Sequence, residues 1–169
     1  MRRLPPGVVP VLPGPRQESV WDYPRPPRLA PSSKRVVVTL GGVVVVDTVA
    51  AIRVLETSHP PAWYLPLADA LAEAFVPVSG TSFCEWKGVA RYLDVTAGGV
   101  RAARGAWVFP EPTPGYGSLR EHVSLYPALM DGCTVDGEVV RPQEGGFYGG
   151  WITDDVVGPF KGPPGSQYW

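Results

Sequence analysis

Two residues of opposite charge stand in segments that are otherwise aromatic and apolar. Glu56 belongs to the run Ile52–Thr57, where strand alternation places it on the same face as the apolar Val54. Lys87 directly follows Trp86. Burial favours the neutral form of each group, which raises the pKa of a carboxylic acid and lowers that of an amine. Both residues are therefore candidates for acid–base catalysis. The alternative is a structural role, either as an ion pair in which each charge stabilises the other or as a carboxylate that accepts hydrogen bonds from backbone donors.

A thiol stands close to this pair along the chain. Cys84 precedes Lys87 by three positions, and a nearby cation favours the reactive thiolate. A nucleophilic cysteine also needs a base, for which His59 and His122 are the candidates. Alternation places Cys84 and Lys87 on opposite faces of a strand, unless Gly88 marks a bulge. The alternative is a buried cysteine that packs as a small hydrophobic residue.

The soft metal ligands are few and widely spaced. They are His59, His122, Cys84 and Cys133. No two of them have the spacing of a zinc site, so the sequence predicts no metal and no cofactor. His59 stands before two prolines, where ordering of a turn is the competing interpretation.

Aromatic residues near these polar groups are candidates for the walls of a ligand cavity, with core packing as the alternative. They are Trp63, Tyr64, Trp86, Tyr92 and Trp107. Arg25 lies between Tyr23 and two prolines, and we expect it to pair with a carboxylate of the body. The predicted ligand-binding set is Tyr64, Trp86, Tyr92, Thr57, His59, Cys84 and Arg25, beside the catalytic candidates Glu56 and Lys87.

Composition indicates a soluble, cytoplasmic protein. The 169 residues are typical of one domain, and the net charge of −1 lacks the basic excess of a nucleic-acid binder. Two cysteines are too few for a disulfide framework. Prolines interrupt the N-terminal region where a signal peptide would need a helix, and no apolar run is long enough to span a membrane. We expect an unknown small molecule as the partner, no nucleic acid or membrane, and a monomer or homodimer.

The abundance of proline and glycine, 21 and 20 residues, favours short strands joined by turns. Gly41-Gly42 and Asp136-Gly137 each predict a hairpin, and four valines over 43–46 predict a strand covered on both faces. Apolar spacing over Leu67–Phe75 predicts one short helix. We expect residues 1–18 to form a flexible proline-rich arm and residues 19–169 a single β domain that includes an aromatic C-terminal extension packed on the body.

Several motifs together resemble the domain-of-unknown-function 427 family. They are Val20–Pro27, Glu56–Tyr64, Cys84–Tyr92, Ala106–Pro110, and Gly146–Trp151 with Gly158–Gly162. The resemblance covers roughly residues 20–165 and implies a mainly β fold of two antiparallel sheets in a β-tent-like arrangement around a pocket. Relatives of that fold often hold zinc through paired Cys-x-x-Cys motifs, which this chain lacks. The family is also labelled nucleotidyltransferase-like, but the sequence has no phosphate-binding glycine loop or paired aspartates to match.

Two functions fit these features. The first is small-molecule binding in a pocket between the two sheets, where Glu56 and Lys87 fix polar groups and aromatic residues enclose the ligand, with acid–base catalysis as its enzymatic version. The second is a non-catalytic protein-interaction module that uses the proline-rich arm and the aromatic tail. Whether the protein is an enzyme stays open at this point.

Overall fold

The computed structural model describes residues 3–169, so positions 1 and 2 of the predicted arm lie outside the described residues. The described chain is mainly β and has only single-turn helical segments. The strands are β1 (Glu18–Ser19), β2 (Arg28–Ser32), β3 (Val36–Leu40), β4 (Val43–Thr48), β5 (Ala51–Leu55), β6 (Ala62–Pro66), β7 (Phe75–Cys84), β8 (Gly88–Ala97), β9 (Val100–Val108), β10 (His122–Leu125), β11 (Gly132–Val135), β12 (Glu138–Val139), β13 (Arg141–Pro142), β14 (Trp151–Ile152) and β15 (Val156–Val157).

Two antiparallel sheets form the body. A seven-stranded sheet has the order β2-β5-β6-β10-β9-β8-β7, and a four-stranded sheet has the order β12-β11-β3-β4. Two short pairs, β1 with β15 and β13 with β14, join the ends of the chain to this body. The structure thus has the mainly β architecture with antiparallel sheets that the sequence predicts.

Both predicted hairpins are present. Gly41 and Gly42, with φ of 59° and 74°, connect β3 to β4, and Asp136 and Gly137, with φ of 47° and 81°, connect β11 to β12. Positive φ at both central residues is what a type I′ turn requires. The valine run 43–46 is not covered on both faces, because Val44 is 51% exposed while Val45 and Val46 are buried.

The helix predicted over Leu67–Phe75 is replaced by two single-turn 3₁₀ helices, Leu67–Asp69 and Ala72–Ala74. The amide of Leu71 donates to the carbonyl of Val45 in β4 at 2.8 Å. Since a helix this short is marginal, pairing with the neighbouring strand outcompetes the i to i−4 hydrogen bonds. The other 3₁₀ turns are Val20–Asp22, Gly117–Leu119 and Pro127–Leu129.

The main core fills the space between the two sheets. Alternation along β6 points Trp63 and Leu65 into it, where they meet the buried residues Val38 and Val46 of the small sheet. Trp151 of the C-terminal region completes this core: it is fully buried, stacks on Trp63 at 6.0 Å, and donates Nε1–H to the carbonyl of Leu125 at 3.1 Å.

The opposite face of the seven-stranded sheet carries a second apolar cluster. The same alternation that points Trp63 and Leu65 inward points Tyr64 to this face, where it packs with Tyr92, Trp107 and Phe109. The small sheet does not cover these residues. They are therefore free to form the wall of a cavity.

The two ends of the chain run together over the body. The Val11 amide donates to the Gly158 carbonyl at 2.8 Å, and Trp21 Nε1 donates to the Pro159 carbonyl at 2.9 Å. Residues 142–169, called the C-terminal tail below, cross the second apolar cluster. Within residues 3–169, no helix is both long and apolar enough to cross a membrane.

Candidate functional site

A cavity of about 640 Å³ lies on the face of the seven-stranded sheet that carries Tyr64 and Tyr92. The C-terminal tail forms its other side through residues such as Tyr148 and Gly149. The prediction of a pocket between the two sheets is wrong, because the main core fills that space. The cavity instead lies between one sheet and the tail.

Most of the predicted site residues line this cavity. They are Arg25, Glu56, His59, Tyr64, Cys84, Trp86, Lys87 and Tyr92. Thr57 faces a neighbouring space instead, and its hydroxyl donates to the Tyr23 carbonyl at 2.5 Å. Of the other aromatic candidates, Trp107 lines the cavity and Trp63 lies in the main core.

A tight turn after β5 brings Glu56 and His59 together. The amide of His59 donates to the Glu56 carbonyl at 3.1 Å, and Ser58, the third residue of the turn, has a φ of 74°. Non-glycine residues seldom adopt this left-handed conformation. The turn places His59 Nε2 3.5 Å from Glu56 Oε2.

Glu56 pairs with Arg25. Arg25 Nη2 lies 3.2 Å from Glu56 Oε2 and donates to the Thr57 carbonyl at 2.8 Å. Both side chains are about one-quarter to one-fifth exposed, at 25% and 21%. Among the described residues, the ion-pair contacts of Glu56 are with Arg25 and His59, so the expected direct pair of Glu56 with Lys87 does not form.

The tautomer of His59 follows from Gln143. The Gln143 Oε1 accepts from the Gly150 amide at 3.1 Å, and Nε2 donates to the Lys161 carbonyl at 2.7 Å, which fixes the amide orientation. The same Nε2 lies 3.2 Å from His59 Nδ1. An amide nitrogen only donates, so Nδ1 accepts and the imidazole proton resides on Nε2, facing Glu56.

His59 is neutral at physiological pH. Burial, together with the charges of Lys161, Arg25 and Lys87, lowers its pKa from 6.5 to about 3. These effects prevail over the attraction of the Glu56 carboxylate, 3.5 Å away, for a protonated imidazole. Three cationic side chains therefore act on one imidazole at the cavity.

Lys87 lies in a hairpin loop rather than in a strand. β7 ends at Cys84 and β8 begins at Gly88, which has a φ of 106°, so Glu85, Trp86 and Lys87 form the connection. Thr113 anchors this loop through its hydroxyl to the Trp86 carbonyl and through its amide to the Lys87 carbonyl at 3.0 Å. The strand predicted to run from Thr81 to Lys87, where Gly88 breaks it, ends instead at Cys84. The alternation that would place Cys84 and Lys87 on opposite faces therefore does not extend to Lys87, and both residues line the cavity.

The Lys87 ammonium has no hydrogen-bond acceptor and no ion-pair partner within residues 3–169. It lies over the Phe109 ring, with Nζ 5.5 Å from the centroid. Burial acts to lower the pKa of Lys87, but the surrounding Tyr64, Cys84, Glu56 and Tyr116 raise it above its usual range. The lowered pKa expected from burial alone is thus not found, and Lys87 is a cation in this site.

Two tyrosines present hydroxyl groups at this wall. Tyr64 is fully buried and accepts a hydrogen bond from Trp107 Nε1 at 3.0 Å, while burial raises the pKa of its phenol. Tyr92 donates to the Ser82 hydroxyl at 2.9 Å. The two hydroxyl groups are thus polar points on an otherwise aromatic wall.

The sequence interpretation missed the contribution of the C-terminal tail and of some body aromatics. These cavity residues are Phe109, Tyr126, Gln143, Phe147, Tyr148 and Lys161. The sequence feature that could have indicated them is the pair Gly149-Gly150, which lets the tail backbone approach Trp107 and Pro60. A Cβ added at Gly149 would lie 2.2 Å from the Trp107 side chain, and one added at Gly150 would lie 2.6 Å from the Pro60 side chain. Within the described chain, no group of three or more His, Cys, Asp or Glu side chains is placed to hold a metal.

The fold and site define a mainly β protein with an aromatic cavity and an excess of cationic side chains. The chain belongs to the family described as Domain of unknown function (DUF427), whose family model matches residues 28–136. The match is shorter than the roughly 20–165 span of the resemblance, and Arg25, Gln143 and Lys161 lie outside it. None of the curated proteins compared with the chain matches it significantly.

Proposed function

We propose that this protein binds a small organic molecule in the cavity between the seven-stranded sheet and the C-terminal tail. The observation that carries the proposal is Lys87: a protonated ammonium faces the cavity and has no acceptor within residues 3–169. Unsatisfied donors of this kind are unfavourable unless water or a ligand accepts from them. A volume of about 640 Å³ lies within the usual range for small-molecule pockets.

Binding has more support than acid–base catalysis by Glu56 and Lys87. The Glu56 carboxylate already contacts Arg25 and His59, and the raised pKa of Lys87 keeps its amine protonated. A general base needs a free lone pair near neutral pH. Both residues are therefore better suited to orient a ligand than to exchange protons with it.

The interaction-module hypothesis has less support because the two segments it would use already bond to each other. The segment before β1 and the C-terminal tail bond to each other: the Val11 amide donates to the Gly158 carbonyl, and the Gln17 side-chain amide donates to the Asp154 carbonyl. A partner would have to displace these contacts. Binding in the cavity needs no such exchange.

The proposal is tested by screening a metabolite panel with thermal shift on wild type and on Ala62→Phe. Ala62 lines the cavity, so a phenyl ring there removes ligand space, whereas Ala68→Phe adds the same ring at an exposed position. A ligand present at 100 times its dissociation constant adds about 2.7 kcal/mol of stability. We expect this shift in wild type and Ala68→Phe and its loss in Ala62→Phe. A ligand that stabilises all three proteins equally would place binding elsewhere and refute the proposal.

A further inference from the structure

The charges around the cavity do not balance. Its cationic side chains are Arg25, Lys87 and Lys161, its acidic side chains are Glu56 and Glu85, and Trp169, the last residue of the sequence, also lines it. Arg25 and Glu56 neutralise each other at 3.2 Å, and Glu85 is exposed at the rim. The two ammonium groups remain inside. The chain has only three lysines and a net charge of −1, so two of its three lysines facing one cavity is a local concentration of positive charge.

Each of these lysines lies over an aromatic ring. Lys87 Nζ is 5.5 Å from the Phe109 centroid, and Lys161 Nζ is 5.4 Å from the Tyr148 centroid. A ring face attracts the cation but accepts no full hydrogen bond from it. Lys161 donates to the Trp169 carbonyl at 3.3 Å, and Lys87 has no such acceptor in the described part of the chain. N–H donors of both ammonium groups are therefore available to a ligand.

The two lysines act on a common region. Lys161 lies over the Tyr148 ring, which packs edge-on against His59 at 4.7 Å, and the charges of both lysines lower the pKa of His59. His59 is itself neutral and adds no charge of its own. An acidic group seated near His59 would thus meet positive potential from both the hairpin loop and the C-terminal tail.

The remaining wall is aromatic and mostly apolar. Tyr64 packs edge-on against Trp107 and tilted against Phe109, with centroid distances of 6.3 Å and 6.2 Å. Such surfaces favour a planar or ring-containing ligand body, which buries apolar area against them. A cationic ligand would be repelled by Lys87 and Lys161, because the carboxylate of Glu56 is already paired with Arg25.

We infer that the ligand is an organic anion with a flat apolar body, whose acidic group is bound by Lys87 and Lys161. This inference rests on the proposed binding function and adds the chemical class of its ligand. The acidic group replaces water at the Lys87 ammonium and forms charge-assisted hydrogen bonds there. The ring system lies against the aromatic wall formed by the body.

A matched series of probes tests the sign of the ligand charge. Naphthylacetate, naphthylethanol and naphthylethylammonium share a ring system and differ in charge, and naphthyl phosphate offers a second acidic group. We expect calorimetry to show wild type binding the two anions roughly tenfold or more tightly than the alcohol, with the ammonium weakest. The tighter of the two anions identifies whether a carboxylate or a phosphate is preferred.

The variants test the residues. Lys87→Met should weaken naphthylacetate binding roughly tenfold and leave naphthylethanol binding unchanged, as expected for the loss of one charge-assisted hydrogen bond. Lys34→Met is the matched control, because Lys34 pairs with Asp155 outside the cavity. In wild type, bound naphthylacetate should also raise the pKa of His59 above about 3, which NMR measures without any variant.

The outcomes separate this inference from the proposed function. Three results would overturn the anion assignment while leaving the cavity as a binding site. The first is equal affinity for all probes, and the second is a preference for the ammonium. The third is an equal loss of affinity for naphthylacetate and naphthylethanol in Lys87→Met. Failure of every probe, together with no response to a metabolite panel, would refute both.

Discussion

The side-chain amide of Gln143 lies 3.2 Å from Nδ1 of His59, although 84 residues separate them in the chain. This contact joins the C-terminal tail to the turn that carries Glu56. It fixes the imidazole with Nε2–H toward the carboxylate and holds the tail against Pro60 through the amide of Gly150. The cavity therefore depends on a segment outside the matched family region for its shape.

Replacing Gln143 tests how far the structure depends on this contact. Gln143 is buried, and its side-chain amide makes three hydrogen bonds, to His59, Lys161 and Gly150. Gln143→Leu leaves the buried Gly150 amide without its acceptor, so we expect the free energy of unfolding to fall by about 2–3 kcal/mol. Urea denaturation measures it. Gln17→Leu is the control, since Gln17 is exposed, and its cost should be about 1 kcal/mol or less.

Ser58 tests the turn that brings Glu56 and His59 together. Its φ of 74° is unfavourable for a side chain, and its buried hydroxyl has no partner among the described residues. Ser58→Gly removes both costs and should raise the free energy of unfolding by about 1 kcal/mol, despite the added freedom of the unfolded chain.

Ser124→Gly is the matched control for Ser58→Gly. Ser124 is also buried with an unpaired hydroxyl, but it lies in strand β10 with ordinary strand geometry. There the substitution loses packing and adds backbone freedom, so thermal denaturation should show destabilisation by roughly 1 kcal/mol. If Ser58→Gly destabilises the protein as much as Ser124→Gly does, the turn is not strained.

The part of the site that sequence predicts is local. Alternation along β5 correctly places Glu56 with Val54 at one cavity, and the Gly41-Gly42 and Asp136-Gly137 signals correctly place two hairpins. The sequence does not reveal the loop that carries Lys87. A three-residue connection followed by a glycine has the same local pattern as a strand that contains one glycine, because the positive φ of Gly88 is not visible in the sequence.

The remaining part of the site is set by long-range packing. The Gln143–His59 contact and the position of Lys161 depend on where the C-terminal tail crosses the sheet, which no local pattern encodes. The close approach of Gly149 to Trp107 likewise depends on tertiary packing. Pairing of Glu56 with Arg25 instead of Lys87 follows from the same cause, since Arg25 reaches the site from the segment before β2.

The buried His59 makes stability depend on pH. Its pKa is about 3 in the folded protein and 6.5 in the reference state, so the unfolded chain binds more protons between these values and stability falls as pH drops through this window. From pH 7 to pH 4 we expect wild type to lose about 3 kcal/mol more than His59→Gln, which has no such proton to bind.

Denaturant titrations at several pH values measure this difference. His122→Gln serves as the control because His122 lies outside the cavity, where its Nδ1 contacts the Arg120 carbonyl at 2.9 Å. The His122→Gln variant should lose stability below pH 6.5 as steeply as wild type does. Parallel curves for wild type and His59→Gln would show that burial and the cations Lys161, Arg25 and Lys87 do not lower this pKa as described.

The two cysteines provide a probe of cavity occupancy. Cys84 lines the cavity and is partly exposed, whereas Cys133 is buried in the main core, where burial raises the pKa of its thiol to about 12. The thiolate is the reactive form, so a disulfide reagent should modify one thiol in the folded protein and two after unfolding. Cys84→Ser should remove the folded-state reaction, and Cys133→Ser should leave it unchanged.

Ligand binding should then protect Cys84. An anion seated at Lys87 shields the neighbouring thiol and lowers the rate of its modification in proportion to the occupied fraction, so naphthylacetate should slow the reaction at concentrations that match its dissociation constant. Protection should be weaker in Lys87→Met at the same probe concentration and restored when more probe is added. Full protection with no change in Lys87→Met would mean that the probe reaches the thiol from a position that does not involve the ammonium.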